Sequence, residues 1–229
     1  VKNIRNLVFD LDGTLIDSSV GIVECVNYSL RMMNQPEQPA DVIRPYIGYQ
    51  LGDMYADFTD APLDELMAHF RERALEVIVA STVALPGADA LLEQLRQSEY
   101  TLAIASTKIK LHIGGIVDKL GWRDYFVALV GGDDVAAQKP APDAFIEAMR
   151  RMNCPAHQTL AVGDTINDIL AAKAVPMKVC AVVSPYEDRA KVEAVGPDIW
   201  IEHLEELPRL LNGHSASNLD ESNNHNSST

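Results

Sequence analysis

The sequence predicts an α/β protein: a Rossmann-like parallel sheet with helices on both faces and a helical insertion after the first strand. Three observations carry this. Short apolar, β-branched runs alternate with amphipathic segments, the pattern of a parallel sheet with crossover helices. Strand candidates such as Leu102-Ala-Ile-Ala are almost continuously apolar, as strands buried on both faces are. Residues 18 to about 85 break the rhythm with helical patterns and no convincing strand.

In chain order, the strand candidates are Asn6–Asp10, Thr101–Ala105, Val127–Val130, Thr159–Val162, Lys178–Val182 and Asp198–Ile201. The helical segments among them are Ala88–Gln97, Leu111–Leu120, Pro142–Met152 and Ile166–Ala174. Within the insertion, Leu63, Leu66, Met67, Phe70, Ala74, Val77 and Ile78 recur at helical spacing. Pro36, Pro39, Pro45 and Pro62 punctuate it, and the chain re-enters the core near Leu85-Pro86-Gly87. Asp17-Ser18 reads as the N-cap region of its first helix. The expected division is a core of residues 1–16 and 87–212, a helical cap of 17–86 and a disordered tail of 213–229.

The chain has 229 residues, 47% of them hydrophobic, which is enough for a sizeable core. With 33 acidic and 19 basic residues the formal charge is −14, which argues against binding a nucleic-acid backbone through a broad basic face. An anionic substrate must therefore find a local positive spot. No run of 18 apolar residues suggests a membrane span, and the N-terminal Val-Lys-Asn-Ile-Arg-Asn lacks a signal-peptide apolar segment, so a cytoplasmic location is expected. Cys25, Cys154 and Cys180 have no metal-ligand spacing and read as small core residues. The six histidines are scattered, and only His112 lies near a motif.

The chemistry gathers at four strand ends, where open parallel sheets collect ligands. The first, Asp10-Leu-Asp12-Gly13-Thr14, sends two carboxylates off one strand toward the same face. Like charges that close need a cation or a proton. The others are Ser106-Thr107-Lys108, Lys139-Pro140-Ala-Pro142 after a glycine-rich loop, and Gly163-Asp164-Thr165-Ile-Asn-Asp168.

These motifs, in this order, resemble the haloacid dehalogenase superfamily of aspartate-nucleophile hydrolases. A narrower resemblance, to phosphoglycolate phosphatase-like enzymes, rests on Asp12, on Tyr46-Ile47-Gly48, and on Gly131-Gly132-Asp133-Asp134 leading to Lys139-Pro140. The resemblance implies a phosphatase acting on a small phosphorylated metabolite. Asp10 is then the nucleophile, a carboxylate that needs no base to activate it. Asp12 is the acid for the leaving oxygen and then the base for water. Lys139 pairs with the nucleophile and the phosphate, and Ser106 and Thr107 bind phosphoryl oxygens. Mg²⁺ suits the all-oxygen set of Asp10, the Asp12 backbone carbonyl and Asp164, with Asp168 acting through water or directing a neighbouring ligand.

Asp164 is also placed to cap the following helix, and Lys108 either reaches substrate or is a solvated lysine at a helix start. Tyr46, Gly48, Tyr49 and Gln50 are candidates for the cap's contact surface. Three places depart from the family pattern: Thr107 where asparagine is common, Val175-Pro176, and Ser184-Pro185-Tyr186. The rival functions are a sugar-phosphate mutase, a pyrophosphatase, a dehalogenase, a phosphonoacetaldehyde hydrolase and a catalytically silent phosphate-binding protein. Asp12 argues against the dehalogenase, and the absence of lysine from residues 18–86 argues against the phosphonate enzyme. The leaving group and the oligomeric state are not legible in the sequence.

Overall fold

A computed structural model describes residues 3–212; the expected tail of 213–229 lies outside the described residues. Six parallel strands form the main sheet: β1 Asn6–Phe9, β4 Thr101–Ala105, β5 Phe126–Val130, β6 Thr159–Gly163, β7 Lys178–Val182 and β8 Ile199–Ile201. Their order is β5-β4-β1-β6-β7-β8, so the chain builds outward on one side of β1 and then on the other. The carboxyl end of β1 thus lies between those of β4 and β6, in the crevice where such sheets place ligands.

Alternation along the strands separates two cores. One face presents Leu7, Phe9, Leu102, Ile104, Leu160 and Val162. It is covered by α5 Ala88–Gln97 and α6 Lys110–Lys119, which bury Leu91, Leu92, Leu95, Ile113, Ile116 and Val117. The other face is built of Val8, Ala103, Ala105, Ala128, Ala161 and Ala181. These small side chains let α7 Asp143–Met152 and α8 Ile166–Lys173 lie close to the sheet, with Phe145 and Ile169 filling the space. A short α9, Arg189–Ala194, completes this layer with Val192. The terminal helix α10 Leu207–Asn212 packs on α5.

The helical segment after β1 contains α1 Ser19–Met32, α2 Ala40–Ile43, α3 Leu51–Phe58 and α4 Leu63–Ser81. Helices α1 and α4 pack against each other. Its two ends are tied by a feature the sequence reading missed. Strands β2 Ile16–Asp17 and β3 Val83–Ala84 form an antiparallel two-stranded ribbon, Ile16 opposite Ala84. Two-residue strands are too short to show a hydrophobic period. Within the expected N-cap region Asp17-Ser18, the side chain that meets the helix start is that of Asp17, whose Oδ1 accepts the Ser19 N–H (2.8 Å); the Ser18 side chain makes no capping bond. No helix among the described residues is long and apolar enough to cross a membrane.

Candidate active site

Backbone hydrogen bonds extend the sheet one residue past its strands and fix two of the predicted residues. Asp10 N–H donates to the Val162 carbonyl (2.8 Å), and Ser106 N–H donates to the Val130 carbonyl (3.0 Å). Asp10, Asp12, Ser106, Lys139, Asp164 and Asp168 are all buried. The structure therefore brings the residues of all four motifs to one end of the sheet.

At the centre, Lys139 Nζ donates to Asp10 Oδ1 and to Asp168 Oδ1, each at 2.5 Å. The ammonium also lies 5.5 Å from the centre of the Phe145 ring. Burial alone would strip Lys139 of its proton, but the two carboxylates outweigh it and hold the side chain charged. Burial pushes the Asp10 carboxyl upward, Lys139 opposes this, and the Asp168 charge adds to the rise.

Asp164 is not a helix cap. Thr165 takes that role in a reciprocal box with Asp168: Asp168 N–H donates to Thr165 Oγ1 (3.3 Å), and Asp168 Oδ2 accepts the Thr165 N–H (3.0 Å). Asp168 thus orients Lys139 with one oxygen and closes the start of α8 with the other. Asp164 is held by Thr14 Oγ1 (2.7 Å) and Ser184 Oγ (2.5 Å). Burial, then Asp168 and Asp10, raise its carboxyl well above the ordinary range. Gly13 makes this approach possible. Its φ is +82°, and a Cβ there would lie 2.2 Å from Asp164 Oδ2.

Carboxylate oxygens of Asp10, Asp164 and Asp168 lie within 4.8 Å of one another. Three carboxylates against one ammonium leave two negative charges, a match for one divalent cation. The donor set is oxygen alone and suits a hard ion such as Mg²⁺.

Asp12 has partners the sequence did not reveal. Ser18 Oγ donates to Asp12 Oδ1, and Lys108 Nζ lies 3.1 Å from Asp12 Oδ2. Lys108, read from sequence as equally consistent with a solvated side chain, is only 8% exposed along its side chain. Thr107 is half-buried, and its side chain makes no hydrogen bond among the described residues. Ser106 Oγ accepts the Lys108 N–H at 3.2 Å.

The helical segment lies over this end of the sheet. A Cβ on Gly48 would come 3.0 Å from Thr165 Cγ2, and Tyr49 donates its hydroxyl hydrogen to Glu187. Tyr186 Oη donates to Asp17 Oδ1 at 2.7 Å. Of the expected contact residues, Tyr46 turns away to Asp57 and Gln50 is exposed.

A family model for haloacid dehalogenase-like hydrolases matches residues 7–182. The plasmid phosphoglycolate phosphatase of Cupriavidus necator is 30% identical over 217 residues, covering 90% of this chain and 92% of that protein. The phosphoglycolate phosphatase of Aquifex aeolicus is 30% identical over 211 residues, with 92% and 98% covered. Among solved structures, a haloacid dehalogenase-like family hydrolase from Streptococcus pneumoniae superposes with a TM-score of 0.84 at 24% identity. That match covers 92% of this chain and all of the other, and it shows the shared fold.

Proposed function

The chain belongs to the haloacid dehalogenase-like hydrolase family, and we propose that it is a Mg²⁺-dependent phosphatase of small phosphomonoesters, phosphoglycolate phosphatase-like. The observation that carries this reading is the ammonium of Lys139 set between Asp10 and Asp168, beside Asp164. Such a cluster seats a nucleophilic carboxylate, a cation and an incoming phosphate together.

Asp10 attacks phosphorus and forms an aspartyl-phosphate as the bond to the leaving oxygen breaks. Asp12 gives that oxygen its proton, then takes one from the water that cleaves the acyl-phosphate, so each turnover returns it to its starting state. Lys139 spends two of its three N–H donors on Asp10 and Asp168, leaving one for a phosphoryl oxygen. The Ser106 hydroxyl serves a second oxygen. Asp10, Asp164 and the Asp12 backbone carbonyl would hold Mg²⁺, with Asp168 acting through water. When bound, the ion offsets the charge of the phosphate and of the clustered carboxylates.

Residues 17–86 act as a cap in this reading. The burial of every catalytic group requires the cap to lift for substrate to reach the site, and its closure excludes bulk water. The enclosed site favours a small metabolite.

The test is phosphate release from a panel of phosphomonoesters with Mg²⁺ and with chelator. Activity should require the metal and should fall at least about a thousandfold in Asp10→Asn while the fold is retained. Full activity of metal-free protein, or of the Asp10→Asn variant, would refute the mechanism.

A further inference from the structure

The catalytic scheme leaves one buried cation without a task. Lys108 Nζ lies 3.1 Å from Asp12 Oδ2, and its side chain is 8% exposed. An ammonium carries three donors, and this one makes no other ion pair or side-chain hydrogen bond among the described residues. Its backbone is clamped. Lys108 N–H donates to Ser106 Oγ at 3.2 Å, and the Lys108 carbonyl accepts the Gly132 N–H at 3.0 Å. The loops touch so closely that a Cβ on Gly132 would lie 2.4 Å from the Thr107 carbonyl oxygen.

A second unfilled donor lies four residues on, in the first turn of α6. His112 is 7% exposed, and its Nε2 is buried without a hydrogen-bond partner. The charges acting on this ring are those of Lys108, Asp12 and Asp133. A buried ring nitrogen with no partner costs stability, and native proteins rarely leave one unexplained.

We propose that Lys108 and His112 form a receptor for a carboxylate on the leaving part of the substrate, beside the ester oxygen that Asp12 protonates. The proposal rests on the phosphomonoesterase reading and narrows its substrate class. Asp12 Oδ1 already accepts from Ser18, and a hydrogen bond from Oδ2 to the ester oxygen spans about 3 Å, which places Lys108 Nζ within roughly 6 Å of that oxygen. A carboxylate attached to the carbon that bears the ester oxygen falls within this reach. It offers two oxygens, one for an ammonium N–H and one for His112 as the Nε2–H tautomer. Charge selects a monoanion: Lys108 supplies one positive charge, and burial keeps the imidazole neutral near pH 7. A second phosphate dianion would remain half-compensated in a chain of formal charge −14.

The test compares kcat/KM for 2-phosphoglycolate with that for ethyl phosphate, which lacks the carboxylate. Wild type, Lys108→Met, Lys108→Arg and His112→Leu are assayed with Mg²⁺, with thermal melts as the folding control. Wild type should prefer 2-phosphoglycolate. The ratio of the two values should fall at least about tenfold in Lys108→Met and about threefold or more in His112→Leu. Lys108→Arg should retain more of the ratio than Lys108→Met. If Lys108→Met does not fold, Lys108→Arg and His112→Leu decide. An unchanged ratio in the folded variants, with both substrates slowed equally, would overturn the receptor and leave the phosphatase reading intact. Wild type inactive on both substrates, while other phosphomonoesters are cleaved, would also overturn the receptor. Inactivity on every phosphomonoester would remove the phosphatase reading and the receptor together.

Discussion

Replacing His112 by leucine should flatten part of the acid limb of the protein's stability. Burial, and secondarily the Lys108 ammonium, push the imidazole from its ordinary 6.5 down to about 4. The unfolded chain takes up a proton near the ordinary value, whereas the folded chain refuses it until about pH 4. The unfolded state therefore binds more protons through that window, and stability is lost as the pH falls. Integrated from about pH 7.5 to about pH 4.5, the loss is about 2.5 kcal/mol. Asp10 and Asp164, whose carboxyls burial raises, work in the opposite direction as they protonate in the folded state. The quantity to measure is therefore the difference between wild type and His112→Leu, from urea unfolding at matched pH values. The variant should gain on wild type by about 2.5 kcal/mol between the two ends of the window. At the neutral end it should be equal or up to about 2 kcal/mol more stable, because an unpartnered nitrogen has left the core. Two curves parallel within about 0.5 kcal/mol across the window would refute the assignment of a buried neutral histidine.

Two further expectations concern the seat of Asp164. Gly13→Ala adds a methyl 2.2 Å from Asp164 Oδ2 at a φ of +82°, so it should cost about 2–4 kcal/mol in chemical denaturation; a loss under about 0.5 kcal/mol would contradict the packing described. Millimolar Mg²⁺ should raise the thermal midpoint of wild type by several degrees, because it relieves three crowded carboxylates in the folded state only. That shift should vanish in Asp164→Asn, and an equal shift in both proteins, read by calorimetry, would place the ion elsewhere.

The parts of the site that were legible in the sequence share one physical signature. Asp10, Ser106 and Asp164 each interrupt a strongly apolar strand at its carboxyl end, and no packing argument accounts for a polar residue there. Lys108 carries no such signature. A lysine ahead of an amphipathic segment looks the same whether it is solvated or buried. Its burial comes from two approaches far apart in sequence, the glycine loop at 131–132 and the Asp12 carboxylate. Ser18 shows the same limit. Asp17-Ser18 reads as a cap region, but only the fold assigns the amide to Asp17 and the Ser18 hydroxyl to Asp12. Local propensity names the candidates for a role, and the tertiary neighbour chooses among them.

The alanine-rich face of the sheet is where fold and chemistry meet. Lys139 lies just ahead of α7, and Asp168 lies in the first turn of α8. Both helices rest on Ala103, Ala105, Ala128, Ala161 and Ala181. Larger residues on that face would lift the two helices off the sheet. The 2.5 Å contacts of Lys139 with Asp10 and Asp168 span the sheet and both helices, so a small displacement of either helix would break them. A buried carboxylate parted from that ammonium is left without its counter-charge, at a cost of several kcal/mol. The small side chains under the helices are therefore part of the site's electrostatics, although none of them lies within reach of a substrate.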